Sequence, residues 1–269
     1  MPRYKLTLEY AGTGLVGWQR QPTGNSVQEI LETAFERFVG PVFVQGAGRT
    51  DAGVHASGQA AHVDLDREIA PHEIMGALNF HVRPHAVSVL AVEAVDDTFH
   101  ARLSATRRSY LYRVMNRRAP PALDRDRVWH VAAALDTPAM AEAARHLLGH
   151  HDFTTFRARF CQARSPLKTL DRLDVTREGD EVRIVAEARS FLYHQVRNMV
   201  GTLRLVGAGQ WRPGDVAAAL AARDRAVGGP TAPPEGLCLT AVSYAGSEER
   251  ARRDPVGDGA DGEAEEGVE

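Results

Sequence analysis

Alternating apolar and polar positions open the chain, so Arg3 to Tyr10 reads as a β-strand. A glycine-rich stretch, Ala11 to Gly24, breaks the pattern and reads as a loop. Ser26 precedes Glu29 by three positions, a capping-box spacing, and Val27, Ile30, Leu31, Ala34, Phe35 and Phe38 continue at helical intervals. Val42 to Val44 predicts a short strand and Ala60 to Leu65 another. Pro71 to Leu78 predicts a short helix, and Val87 to Val95 a strand.

From Arg107 the pattern starts afresh. Ser109 to Met115 alternates as a strand, and Pro138 opens a helix through Leu148, with proline near its favoured first turn. Leu170 to Thr176 and Val182 to Ala188 flank Glu178-Gly179-Asp180 as a hairpin. Phe191 to Val206 is a longer helix, Pro213 to Leu220 a short one, and Leu239 to Tyr244 a closing strand. The expected fold is α+β. Two α/β halves, 1–105 and 106–245, contribute mixed, mainly antiparallel sheets to a central sheet, with helices packed outside and an active-site cleft between the halves. No clear internal sequence repeat accompanies this division.

Composition narrows the class. A length of 269 residues suits one large domain or two smaller ones, and 43% hydrophobic content is enough for a core. No apolar run approaches the ~20 residues that a membrane span needs. The N-terminal segment alternates like a strand rather than reading as a signal peptide. Cys161 and Cys238 form no CxxC pair, which argues against a disulfide framework or zinc site and for a reducing cytoplasm. The net charge of −3 is uneven: residues 246–269 hold nine acids and three arginines, and the remaining body holds 29 basic and 26 acidic residues. That acidic tail is expected to be disordered and to serve solvation. Lysine occurs only at Lys5 and Lys168, so 30 of the 32 basic residues are arginine. Guanidinium suits bidentate phosphate contact, and a GC-rich genome gives the same bias.

Five stretches carry candidate chemistry. Gly48-Arg49-Thr50-Asp51-Ala52-Gly53-Val54-His55-Ala56 places one carboxylate, one guanidinium and glycines in a short loop. Arginine beside an acid keeps that acid ionised, although Thr-Asp-Ala-Gly is also an ordinary turn composition. Tyr10 to Gln21 offers exposed amides and Arg20 for phosphate, but is no GxxxxGK[ST] loop, which disfavours nucleotide hydrolysis. Around Arg107-Arg108-Ser109-Tyr110-Leu111-Tyr112-Arg113, Tyr110 and Tyr112 share one strand face, suited to a stacked base or to the core. Gly149-His150-His151-Asp152 invites a metal reading. Adjacent histidines on a helix point different ways and no third ligand has suitable spacing, so no metal is expected. In Phe191 to Gly201, Leu192, Val196, Met199 and Val200 form an apolar helix face with Arg197 at its edge. Such an arginine either snorkels to solvent or is buried against an acid; the second option gives Asp51 a partner.

Together these stretches resemble one family, the tRNA pseudouridine synthases of the A type. GRTDAGVHA matches the family's catalytic motif residue for residue. YxGxxxxGWQRQ, FHAR-x-SA, RxYxY, LLGxHDFxxFRA, CQ and HQVRNMVG-x-L-x-x-VG follow in order, from about Tyr4 to Tyr244. Leu103 departs from a usual phenylalanine, and Gln195 follows His194 where histidine–methionine types also occur. The resemblance implies isomerisation of uridine to pseudouridine at positions 38–40 in the anticodon stem-loop of tRNA, with no cofactor. It makes Asp51 the essential carboxylate and Arg197 the partner that holds it ionised. Tyr110 stacks on the flipped uracil and serves as candidate base for the C5 proton. Arg49 holds the extruded nucleotide, Arg20 and Lys168 line a groove for the stem-loop, and Leu237 with Leu239 either closes the pocket or packs the core. It also implies a homodimer. Two other readings compete: a noncatalytic tRNA-binding protein, and a glycosidase, for which Asp51 lacks an obvious acidic partner.

Overall fold

A computed structural model describes residues 1–245; the expected tail, 246–269, lies outside the described residues. In chain order the elements are β1 (Arg3–Tyr10), α1 (Val27–Glu36), β2 (Gln45–Gly46), β3 (His55–Asp64), α2 (Pro71–His81), β4 (Val87–Val95), β5 (Ala105–Met115) and β6 (Trp129–His130). Then follow α3 (Thr137–Arg145), β7 (Gly149–Asp152), β8 (Leu167–Glu178), β9 (Glu181–Ala188), α4 (Gln195–Gly207), α5 (Pro213–Ala222) and β10 (Leu237–Tyr244).

Among the described residues the strands make one sheet in the order β4-β1-β3-β10-β5-β9-β8-β7, with β2 beside β3 and β6 beside β5. The fold is α+β, as expected. Pairing is antiparallel except for β10 with β3 and β5 with β6. The last strand is the join: β10 lies between β3 from the early chain and β5 from the later chain. A single row of paired residues crosses it, Tyr10, Ala56, Leu239, Tyr110, Ala186 and Leu173. Directly paired side chains share a sheet face, so one face is continuous across the whole molecule. Two apolar cores fill that face. Leu6, Leu8, Ile30, Leu31, Phe35, Ile74 and Leu78 pack around β1–β4. Tyr112, Phe153, Phe156, Ile184, Met199 and Leu203 pack around β5–β9. The opposite face carries ion pairs such as Lys5–Glu93 (2.9 Å) and Arg113–Glu181 (2.7 Å), and a smaller apolar cluster that includes Ala60, Ala101, Ala105 and Tyr244.

Several elements differ from expectation. Val42 to Val44 makes no strand; Val44 is buried in the first core, but its N–H donates to the Glu32 carboxylate and the ladder begins at Gln45. β3 starts five residues before Ala60, because Ser57 and Gly58 hide its N-terminal half from a search for alternating apolar residues. Gly149 to Asp152 is strand, not helix. Asp152 accepts from the Thr154 N–H (2.9 Å) and hydroxyl (2.6 Å), which fixes the following turn.

Candidate active site

The Asp51 loop connects β2 to β3 and is held by its neighbours' backbone. Gly17, at φ 104°, brings its α-carbon against the loop, and a β-carbon there would lie 2.5 Å from the Thr50 carbonyl oxygen. A side chain at that φ is also strained. Gly12 is equally committed, since its β-carbon would stand 2.2 Å from the Val54 oxygen. Hydrogen bonds tie the two loops: Trp18 N–H to Thr50 O (3.1 Å), Gly53 N–H to Leu15 O (3.3 Å) and Gly12 N–H to His55 Nδ1 (3.0 Å). Thr50 Oγ1 meets the Tyr10 hydroxyl at 2.8 Å. The glycine-rich stretch therefore cradles the Asp51 loop instead of presenting free amides to phosphate.

Opposite stands the start of α4. The helix begins at Gln195, four residues later than its apolar pattern suggests, because His194 takes a left-handed conformation (φ 61°, ψ 7°). Gln195 Oε1 accepts from Leu192 N–H at 2.8 Å and closes this entry turn. Arg197, in the first turn, donates Nε to Ala232 O (2.8 Å) and Nη1 to Asp51 Oδ2 (3.1 Å). The two side chains are 12% and 18% exposed, so water screens their charges weakly. His194 Nε2 lies 3.3 Å from the same Oδ2. Burial holds the His194 imidazole below its ordinary pKa; Asp51 opposes that shift, while Arg197 and Arg225 add to it.

The pair sits in a cleft of about 950 Å³, lined by Asp51, Tyr110, Phe191, His194, Arg197 and Leu237 among others. Tyr110 meets Phe191 edge-on, with ring centres 5.3 Å apart. Burial raises the Tyr110 phenol well above its ordinary value, and the charges of Tyr10 and Asp51 act in the same direction. Tyr112 is wholly core; its hydroxyl donates to Pro233 O at 2.7 Å. At the mouth Arg49 Nη1 reaches Gln162 Oε1, 2.9 Å away on the far wall. Arg20 and Lys168 are not in the lining. Arg20, 62% exposed, faces Glu29 (3.5 Å) and Glu32 (3.6 Å), and Lys168 Nζ bonds the Leu167 carbonyl at 3.1 Å. Leu239 points into the first core, whereas Leu237 faces the cleft.

Two lining residues escaped the sequence reading. Arg108 shares the buried face with Tyr110; its guanidinium donates to the carbonyls of Arg189, Ala47 and Arg102, joining β5 to both sides of the cleft. Alternation with Tyr110 and Tyr112 was the signal for it. His194 had no comparable signal, since a left-handed histidine is not foreseeable from residue type.

This is an α+β protein with one sheet running through two cores, and a carboxylate–guanidinium pair in the cleft beside their seam. Residues 7–103 and 143–245 match the model of a family described as tRNA pseudouridine synthase, and the chain belongs to that family. A protein of Paramagnetospirillum magneticum described as tRNA pseudouridine synthase A is 64% identical over 248 residues, 92% of this chain and 97% of its own length. Proteins of the same description from Rhodospirillum centenum and Xanthobacter autotrophicus are 60% and 59% identical, each over 91% of this chain and the whole of the relative.

Proposed function

We propose that the chain isomerises uridine to pseudouridine at positions 38, 39 and 40 in the anticodon stem-loop of tRNA. The observation that carries this reading is the Asp51–Arg197 pair, a carboxylate held against a fixed cation and walled by Tyr110 and Leu237. The reaction breaks the bond from N1 of uracil to C1′ of ribose and forms one from C5 to C1′. The C5 proton is lost and N1 gains one, so no electrons or groups are exchanged with a cofactor. Asp51 is the group that engages the nucleoside. Arg197 holds it in place against the bound nucleotide. Reaching that pocket requires the target base to leave its stack, at a cost of a few kcal/mol. Stacking against Tyr110 and phosphate contact from Arg49 offset that cost. The raised phenol stays protonated near neutral pH, so Tyr110 relays the C5 proton, taking it up as its own passes to water.

Residues 1–105 bring the Asp51 loop and residues 106–245 bring Tyr110 and Arg197, so each half is inert alone. The anticodon arm lies along the cleft mouth, Arg20 and Lys168 touch it only at its margins, and a homodimer in the cytoplasm is the working form. The test is tritium release to water from tRNA transcripts carrying tritium at C5 of uridine, with purified protein and no added cofactor. Release that disappears in Asp51→Ala supports the reading; tight tRNA binding without release refutes it in favour of a binding protein.

A further inference from the structure

One polar side chain in the cleft has no part in that scheme. His194 occupies the left-handed region, φ 61°, which a residue with a β-carbon adopts at a cost. Helix capping does not explain it, because the His194 side chain makes no cap hydrogen bond and Gln195 closes the turn. Glycine or asparagine takes this conformation more readily. What histidine adds is Nε2, placed 3.3 Å from Asp51 Oδ2.

Arg197 Nη1 approaches that same oxygen, at 3.1 Å. Both contacts converge on Oδ2, and among the described residues no hydrogen bond reaches Oδ1. Facing a carboxylate oxygen, Nε2 has to carry the ring proton. The charged groups around the ring are Asp51 on its loop, Arg197 on α4 and Arg225 after α5. Burial favours the neutral imidazole, so the ring stands beside the carboxylate without adding a second cation that would blunt it. Contacts of this kind are often long in the empty enzyme and shorten around substrate.

We propose that His194 is a positioning residue: with Arg197 it pins Oδ2 of Asp51 and leaves Oδ1 as the oxygen that meets the nucleoside. This rests on the pseudouridine-forming reading above.

The test compares His194→Gly and His194→Gln with wild type in the tritium-release assay, alongside thermal melts. Glycine removes the donor but suits the dihedral, so its Tm should hold or rise by about 2–4 °C. Its kcat should fall at least about tenfold with KM for tRNA within about twofold, a change confined to steps after binding. Glutamine, which can set an amide N–H near the Nε2 position, should recover part of that kcat although it fits the dihedral less well. Stability and turnover then move in opposite directions, which a merely structural histidine would not produce. Wild-type kcat in His194→Gly, a kcat loss matched by a fall in Tm, or a glutamine variant no better than glycine would each overturn the proposal. No release by the wild-type protein would instead defeat the underlying reading.

Discussion

Asp51 and Arg197 stand 146 positions apart in the chain and meet at 3.1 Å. The carboxylate rides on a loop braced by the first core, and the guanidinium on a helix buried in the second. Neither end is free to swing, since Gly17 backs the Asp51 loop and Ala232 O holds Arg197 Nε. A largely buried pair of this kind does little for stability, because desolvation offsets the attraction. It fixes instead the direction of one carboxylate.

Removing that carboxylate should separate chemistry from binding. Asp51→Asn keeps the shape of the side chain and loses its charge. Product formation should fall by at least about 1,000-fold, roughly 4 kcal/mol of transition-state stabilisation. Affinity for tRNA should stay within about tenfold, roughly 1.4 kcal/mol. Activity that survives in a single-turnover assay would place the essential carboxylate elsewhere.

Arg197 makes two contacts that one cation on a flexible stem cannot make together. Lysine can meet Asp51 but not Ala232 O at the same time. Arg197→Lys should therefore retain measurable turnover, and Arg197→Met almost none. Equal rates for the two would show that charge is irrelevant and remove the ion-pair argument.

The sequence displayed more of this arrangement than of its bracing. Helical spacing placed Arg197 at the edge of an apolar face and left it either snorkelling or buried against an acid; the family resemblance chose Asp51 as its partner. Alternation also gave β1, β4 and β9 nearly in full, and β5 from Ser109 onward. The charge of Arg20 was legible while its partners were not: Glu29 and Glu32 come to it only once α1 is formed and the preceding loop has folded back. The glycines of the same loop looked like phosphate-binding backbone. Two of them, Gly12 and Gly17, serve close approach to Val54 and Thr50, a tertiary relation with no local signature. β2 and β6, two residues each, are too short for any periodicity to register.

That bracing can be tested at Gly17. Alanine there must adopt φ 104° and place its β-carbon 2.5 Å from Thr50 O, so the Asp51 loop has to shift. Strain of this kind costs about 1–3 kcal/mol. Gly17→Ala should lower Tm by at least about 2 °C and depress kcat more than tRNA affinity. Gly76→Ala is the control: in α2, with nothing within 4 Å of the added atom and alanine the better helix former, it should keep full turnover and hold or raise Tm. Identical behaviour of the two variants in melts and kinetics would mean that the loop contact is dispensable.

Away from the cleft, His62 makes stability depend on pH. Its Nδ1 accepts the Ala101 N–H at 3.2 Å, which pins the loop between β4 and β5. Burial pushes its pKa down to about 4; Arg3 and His100 add to that shift, and Asp64 opposes it. The unfolded chain therefore takes up this proton at higher pH than the native one. The stabilising contribution is complete above about pH 6.5 and is lost as pH falls towards 4, where protonation removes the acceptor. His62→Asn can offer an amide oxygen in place of Nδ1 and does not titrate. Its Tm should fall less than that of the wild type between pH 7 and pH 4.5, in melts at constant ionic strength. Parallel Tm curves for the two proteins would assign the acid sensitivity to other groups.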